Sequence, residues 1–559
     1  MNILLIYPDF PDKRISGEDI LAPPMGLYYI GALLKERGHE VRVLNLNGEK
    51  PSREALKEKF RALRPDMMGF SVVHANRWGA IDAAALAREA LPHVRIVFGG
   101  PGASFLWRFL LSRFSFIDFA VVGEGERAFS ELVRRLQENR PESASDIPGV
   151  AGRRNGEIVY GGEAPFIDDL DSLPSPAAHF TFRHLALSRG CPENCAFCAS
   201  PKLWRRKTRF HSAAYFVDML KTLREKGETF FYVSDDNFTL KKNLAIEVCE
   251  KIVDQGLDIS WAAISRADRV DGEILDWMKK AGCVQISYGI ESGCDRIRKK
   301  LNKNLRKSHV EKAFAMTLER GIMARAYFIY GSPGESRASI EDSVDLMKKI
   351  KPLGMIAYML ALFPGTALYD DFARNIPDPD DMWMARAEDL LYFETDPGLS
   401  RESVVSFGKR LRSAFYENLP GFVRDVSLSK RLSPEARADF YSRLAMTFSH
   451  GDYSQIREIP QKQETARKLY EKALSLAPDH RACLGLGAML QQKREFKGSI
   501  EALQKGAAHY PASEPIHLCL GISLMNEGRF HEAAACFEKF PHSPQAASYL
   551  EECRRAGGL

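Results

Sequence analysis

Through the first quarter of the chain, short apolar runs alternate with segments of helical periodicity. NILLIYP, EVRVLNL, DMMGFSVV, VRIVFGGPG and DFAVVGEGE read as strands. Between them GLYYIGALLKERGH, REALKEKFRALRP and AIDAAALAREALP repeat apolar residues at three- and four-residue spacing, as amphipathic helices do. Strand and helix in alternation predict an α/β fold over residues 1–135, a parallel sheet with helices on both faces. Ligands of such sheets sit at the carboxyl ends of the strands. Those ends carry Ser71, Gly99, Gly100, Pro101, Gly102, Gly123, Glu124 and Gly125. Glycine lets backbone approach a large flat ligand and equally makes turns, and the pattern leaves both uses open.

Residues 136–182 are turn-rich (PES, GRRNGE, LDSLPSPAA) and read as a linker. The alternation then resumes over 183–370 with HLALSRG, TFFYVSDDNF, ISWAAISRADRV, CVQISYGIESG, ARAYFIYGSPGE and IAYMLALFPGT. Each is followed by a helical stretch, which predicts a partial (β/α)6 barrel of TIM type with its active site at the carboxyl ends of the strands. Residues 371–432 read as a helical extension. From 433 to 559 the texture is all-α: Gly487 and Phe496 recur 34 residues later as Gly521 and Phe530. A helix-pair period of that length resembles the tetratricopeptide repeat. About three such units are expected, the usual minimum for a stable stack, with a concave face suited to a peptide or protein partner.

Composition narrows the classes. At 559 residues the chain should divide into several domains, and 45% hydrophobic with 27% charged residues is ordinary for globular protein. A net charge of +5 over this length implies no nucleic-acid partner. MNILLIYPDF lacks a basic n-region, and no long apolar segment predicts a membrane span, so a cytoplasmic location is expected. Ten cysteines in so long a chain do not make a disulfide framework. Cys249, Cys283, Cys294, Cys483, Cys519, Cys536 and Cys553 stand at helical or strand positions as buried small hydrophobes. The other three are clustered at ligand-like spacing, which in a reducing compartment reads as metal binding or catalysis.

The cluster is SRGCPENCAFCAS, with Cys191, Cys195 and Cys198 spaced C-x3-C-x2-C. Zinc would want a fourth protein ligand. The nearby His184 and His211 have no usual zinc spacing. A 4Fe-4S cluster held by three cysteines leaves one iron open. Here the residues resemble the radical S-adenosylmethionine enzymes, whose loop is CxxxCx(aromatic)C, matched by Cys191, Cys195, Phe197 and Cys198. The resemblance implies that S-adenosylmethionine chelates the open iron and is cleaved to a 5′-deoxyadenosyl radical. It also implies roles strand by strand. Ser234, Asp235 and Asp236 would accept from the methionine ammonium, although such residues also serve as helix caps. Arg266 would meet a carboxylate bidentately. Glu291 and Ser292 stand where the family binds ribose, and Gly331, Pro333 and Gly334 resemble the turn beside the adenine. Asp235, Asp236 and Arg266 are therefore the candidate catalytic residues.

A Rossmann-like domain ahead of such a barrel marks the cobalamin-binding branch, and GHEV, GGPGA and VVGEGE resemble its motifs, with Gly99, Gly100, Gly123 and Glu124 as candidate cofactor contacts. No DxHxxG occurs in residues 1–135, whose only histidines are His39, His74 and His93, so cobalamin is expected without a protein histidine below the cobalt. GGPGASFLW departs from the members that carry histidine after GGP. The resemblance implies a cobalamin-dependent C-methyltransferase that uses S-adenosylmethionine twice, with a flavodoxin or ferredoxin as electron donor. Related members oxidise, cyclise or rearrange without methyl transfer. A reading of another class is a repeat scaffold with a relic barrel.

Overall fold

A computed structural model of the chain describes residues 1–10, 23–47, 49, 51–374, 376–386 and 390–557. Two compact units emerge, one of Met1–Ala313, Ala326–Leu346 and Met355–Leu411, the other of Phe314–Arg325, Met347–Gly354 and Arg412–Leu559.

In the first unit the N-terminal sheet is built from β1 (Asn2–Tyr7), β2 (Glu40–Asn45), β3 (Met67–Ser71), β4 (Arg95–Gly99) and β5 (Phe119–Val121), with α1 (Met25–Glu36), α2 (Arg53–Leu63), α3 (Arg77–Ala90), α4 (Gly100–Arg113) and α5 (Gly125–Gln137) between and after them. Strand order is β2-β1-β3-β4-β5, all parallel. The unbroken apolar run NILLIY follows from burial on both faces. Leu4 and Ile6 join a core with Phe60, Phe70, Phe98 and Leu106, while Ile3 and Leu5 join another with Leu27, Leu34 and Leu132. The expected linker is not one throughout: β6 (Val150–Arg154) and β7 (Glu157–Tyr160) extend this sheet antiparallel beyond β5. Their pairing depends on register against Phe119–Val121, which local turn signals cannot show.

The second sheet has the order β15-β14-β13-β12-β11-β8, from β8 (His184–Leu185), β11 (Phe230–Val233), β12 (Ser260–Ser265), β13 (Cys283–Glu291), β14 (Met323–Tyr330) and β15 (Gly354–Met359). β9 (Ser188–Arg189) and β10 (Arg209–Phe210) form a separate two-stranded ladder. Ser212 caps the helix Ala213–Glu225 by accepting from Tyr215 N, and Asp271 does the same for Gly272–Lys280. The expected helical extension is mixed: after the short helix Ala367–Ala373, the described residues include a 3-10 turn at Asp381–Met384 and a short strand Leu390–Leu391 paired with Ala361–Leu362, and the long helix begins only at Arg401.

The glycines at the first sheet's carboxyl edge divide by use. A Cβ on Gly102 would lie 2.7 Å from the Val73 carbonyl carbon, and one on Gly100 (φ +90°) 2.8 Å from Val72 O. These two let α4 start against the β3 loop. Gly123 has open space where a Cβ would stand, and Gly99 meets nothing closer than 3.8 Å. The turn after β14 is held differently. Glu335 is buried, one carboxylate oxygen accepts from Gly331 N and Ser332 N, and the other has no hydrogen-bond partner among the described residues. Burial pushes its carboxyl up to about 7, against the pull of the two amides.

In the second unit, Pro434–Ser449, Lys462–Leu476, His480–Gln492, Phe496–His509, Glu514–Asn526, Phe530–Phe537 and Pro544–Gly557 are helices, each packed on the next. A Cβ on Gly487 would meet Leu503 at 2.5 Å and one on Gly521 would meet Phe537 at 2.4 Å. The recurring glycine is thus where paired helices touch. Tyr453 Oη, in the turn between the first two of these helices, donates to Leu353 O at 2.8 Å, and Lys351 pairs at 2.6 Å with Asp425, just past the helix that ends at Arg424.

Gly102→Ala should cost about 1–3 kcal/mol, the range for overpacking, read as a lower denaturant midpoint with an unchanged slope. Glu335 binds a proton more tightly folded than unfolded, so its contribution to stability is complete below its ordinary value of about 4.3 and is lost as pH rises through the folded value. Glu335→Gln should therefore gain in thermal midpoint over the native chain as pH is raised from about 5 to about 8; a constant difference across that range would contradict the assignment.

Candidate functional site

The cysteine loop leaves the second sheet at β8 and is fastened before its first thiol. Asp235, buried after β11, accepts from Leu187 N at 2.9 Å and from Ser188 Oγ. Gly190 turns the chain at φ +97°, where a Cβ would lie 2.3 Å from Lys207 O. The loop itself has little regular structure and borrows partners. Ala196 N donates to Leu301 O at 2.9 Å, Asn302 Nδ2 to Asn194 O at 2.5 Å, Arg206 Nε to Pro192 O at 2.9 Å, and Ala196 O accepts from Leu368 N at 3.1 Å.

Cys195 is buried, and Cys191 and Cys198 are half-buried; all carry free thiols. Burial raises all three, Cys198 to about 12, with the charge of Lys303 working the other way at Cys195. Desolvated thiols ionise when a cationic centre takes them as ligands. Among the described residues no three His, Cys, Asp or Glu side chains converge as one metal ion requires. The donor set, three thiols spread along one clasped loop, fits a polynuclear iron–sulfur group.

The structure places the other expected residues unequally. Ser234 and Asp236 border a cavity beside this loop, and Asp236 accepts from Ser200 Oγ at 2.5 Å. Asp235 points away from that cavity; its oxygens brace Leu187 and Ser188, so it positions the loop rather than meeting a ligand. Arg266 is bidentate, but to Asp268 at 3.0 Å through Nε and Nη2, with Nη2 also on Asn304 O and Nη1 3.6 Å from Glu193. Glu291 pairs with buried Lys303 at 2.8 Å and sits at φ +65°, a conformation costing a non-glycine residue about 1–3 kcal/mol. Ser292 is fully buried and caps Cys294 N at 3.1 Å. Phe197 packs against the apolar cluster of Cys294, Ile297, Leu301, Ile329 and Leu360, and Gly331 and Pro333 lie in the Glu335 turn. Sequence reasoning missed Glu193, Lys303, the Leu301–Asn304 brace and Glu335. Two of these had a signal in the quoted stretches, Glu193 between the first two cysteines and Glu335 at the end of ARAYFIYGSPGE.

The cavity, of about 310 Å3, is bordered by Ser71, Gly99, Gly100 and Gly123 at the first sheet's carboxyl edge, by Ala186, Ser188 and Gly190 on the approach to the cysteine loop, and by Ser234 and Asp236 after β11, over walls that include Leu5, Ile30, Phe70 and Phe129. Gly99 and Gly123, the two edge glycines with room at the Cβ position, are both in its lining, as is Gly26 with open space at the same place, as a flat ligand's approach would require. Glu124 also borders it, yet is not available to a cofactor. It accepts from Ile167 N at 2.8 Å, from Arg189 at 2.9 Å, and through both oxygens from Arg209 at 2.8 and 2.7 Å. Burial raises its carboxyl, and the hydrogen bond from Arg209 and the charge of Arg189 lower it further than that, to a net value below the ordinary. His211 lines the same cavity with its ring held by Tyr29 Oη and Asp171, each at 2.9 Å. Burial brings it down to about 4, so it is neutral.

Family comparison places known domains on both sides of this cavity. The B12 binding domain matches residues 20–133, and the Radical SAM superfamily matches residues 185–347. An uncharacterised methyltransferase of Pyrococcus horikoshii is 30% identical over 385 residues, 66% of this chain and 83% of that protein. The anaerobic magnesium-protoporphyrin IX monomethyl ester cyclase of Cereibacter sphaeroides is 28% identical over 397 residues, 67% of this chain and 64% of that protein. In fold, the radical S-adenosylmethionine methyltransferase TsrM of Kitasatospora setae, solved with cobalamin and a 4Fe-4S cluster, matches 84% of this chain and 99% of its own with a TM-score of 0.60 at 17% identity. The chain belongs to the B12-binding radical SAM enzymes.

Proposed function

We propose that Cys191, Cys195 and Cys198 hold a 4Fe-4S cluster, that cobalamin lies against the Gly99 and Gly123 edge, and that the enzyme methylates an unactivated carbon with S-adenosylmethionine. What carries the reading is the cavity bordered both by the first sheet's carboxyl ends and by the residues that flank the cysteine loop. When bound, the cluster supplies the electron that splits S-adenosylmethionine and the corrin carries the methyl group. The chain's own residues orient and exclude. Ser234 and Asp236 offer oxygens to an ammonium group at the cavity edge, and the apolar walls of Leu5, Ile30, Phe70 and Phe129 keep water from a radical. Phe197, between Cys195 and Cys198 in sequence, anchors the loop to the apolar cluster that includes Ile297 and Leu301.

Likeness to the Pyrococcus horikoshii methyltransferase supports methyl transfer. The likeness to the Cereibacter sphaeroides cyclase favours a second reading, oxidation or ring closure without methyl transfer. A flavodoxin or ferredoxin is the proposed electron donor. The helices from Pro434 onward are read as tetratricopeptide-like repeats that receive a peptide or protein partner. No helix among the described residues is long and apolar enough to cross a membrane, and a cytoplasmic location is part of the proposal.

Anaerobic reconstitution with iron, sulfide and cobalamin should give about four irons per chain and a corrin absorbance band. Replacing Cys195 and Cys198 with alanine should abolish iron and 5′-deoxyadenosine formation while far-ultraviolet circular dichroism stays native; nucleotide cleavage surviving in that variant would sink the cluster assignment. Quenched turnover should contain S-adenosylhomocysteine beside 5′-deoxyadenosine, and finding only the latter would select the second reading.

A further inference from the structure

The ion cluster around Glu124 has a position that its packing alone does not require. β9 and β10 pair Arg189 directly with Arg209, and this ladder belongs to neither large sheet. Both guanidinium groups reach Glu124, which follows Gly123 and precedes α5. Arg189 also meets Glu126 at 2.7 Å, so two carboxylates face two guanidinium groups. Glu124, Glu126 and Arg209 are almost wholly buried and Arg189 nearly so. Each arginine is further fixed by a ring face. Arg189 lies 4.9 Å from the Tyr29 centroid, and Arg209 is 4.6 Å from Phe166 and 5.3 Å from Trp204, its Nε and Nη2 having no hydrogen-bond partner among the described residues. A forked, charge-assisted contact gated by stacking holds orientation as well as distance.

Its covalent neighbours give the cluster meaning. Gly123 borders the cavity on one side; on the other, Arg189 is joined through Gly190 to Cys191. Between the proposed corrin edge and the first cluster thiol, the path runs through Glu124, Arg189 and Gly190. We propose that Glu124, Arg189 and Arg209 are positioning residues that set the separation between the corrin-bearing edge and the cluster-bearing loop. This rests on the function proposed above. The distance over which a substrate radical must travel to meet a methyl group is then a property of one buried ionic strut.

The test reads that separation without a substrate. In holoenzyme reduced with dithionite, cob(II)alamin and the one-electron-reduced cluster are both paramagnetic, and a nearby cluster speeds relaxation of the cobalt signal. Power-saturation electron paramagnetic resonance of the native enzyme should show that enhancement. Glu124→Gln and Arg189→Met should lose it several-fold at native iron and corrin content. Arg189→Lys, which keeps the charge and one contact and so guards against a variant that fails to fold, should recover part of it. Arg410→Gln, which breaks the Arg410–Glu341 pair at 2.7 Å far along the chain, should leave it native. Undiminished enhancement in Arg189→Lys and in every cofactor-replete variant, or an equal loss in Arg410→Gln, overturns the strut; a native chain that binds no corrin overturns the functional reading and the strut together.

Discussion

A segment without regular hydrogen bonding carries the three thiols, and its backbone groups must find partners outside it or lose several favourable contacts on burial. That demand organises the first unit. Leu301 O, Asn302 and Leu368 N supply partners from chain a hundred or more residues downstream, Arg206 supplies another, and Asp235 secures the approach at Leu187. The barrel strands thus do more than present side chains at their ends. Their connections fold back to hold a loop that could not hold itself.

Carboxylates illustrate how the same residue type is spent on support. Asp235 and Glu335 each accept two donors and each sits above the ordinary carboxyl range because burial outweighs the hydrogen bonds. Glu124 goes the other way: guanidinium groups outweigh its burial. Removing one partner from such a buried pair typically costs about 3–5 kcal/mol, since the remaining charge is stranded. The polar residues of this region are accordingly held in fixed geometry before any cofactor arrives, which is the condition for electrostatic preorganisation.

Much of this was legible in the chain's pattern. Alternating strands and helices foretold both sheets in order, because burial on two faces writes itself as continuous apolar runs such as NILLIY and burial on one writes itself as periodicity. The cysteine loop was legible because three thiols at that spacing have few uses. What escaped was whatever depends on a partner distant in the sequence. Glu124 looked like a cofactor contact because it follows Gly123 at a strand end; that it answers Arg189 and Arg209 is a fact of tertiary pairing. Arg266 was read as a carboxylate clamp and is one, but for Asp268 two residues on. Lys303 lies in an unremarkable polar run, and β6 and β7 are short and set among turn residues, so that their pairing onto β5 has no local signal. The glycines at residues 99–102 could not be sorted into turn-makers and ligand neighbours until their surroundings were seen.

The contacts of Gly487 with Leu503 and of Gly521 with Phe537 bear on how the helical unit can change. Because the same small-against-large contact serves the two successive pairs His480–Gln492 with Phe496–His509 and Glu514–Asn526 with Phe530–Phe537, the stack has a reusable joint. Inserting or deleting a whole pair preserves every remaining joint, so the length of this arm is free to evolve by duplication while the catalytic portion of the chain stays as it is.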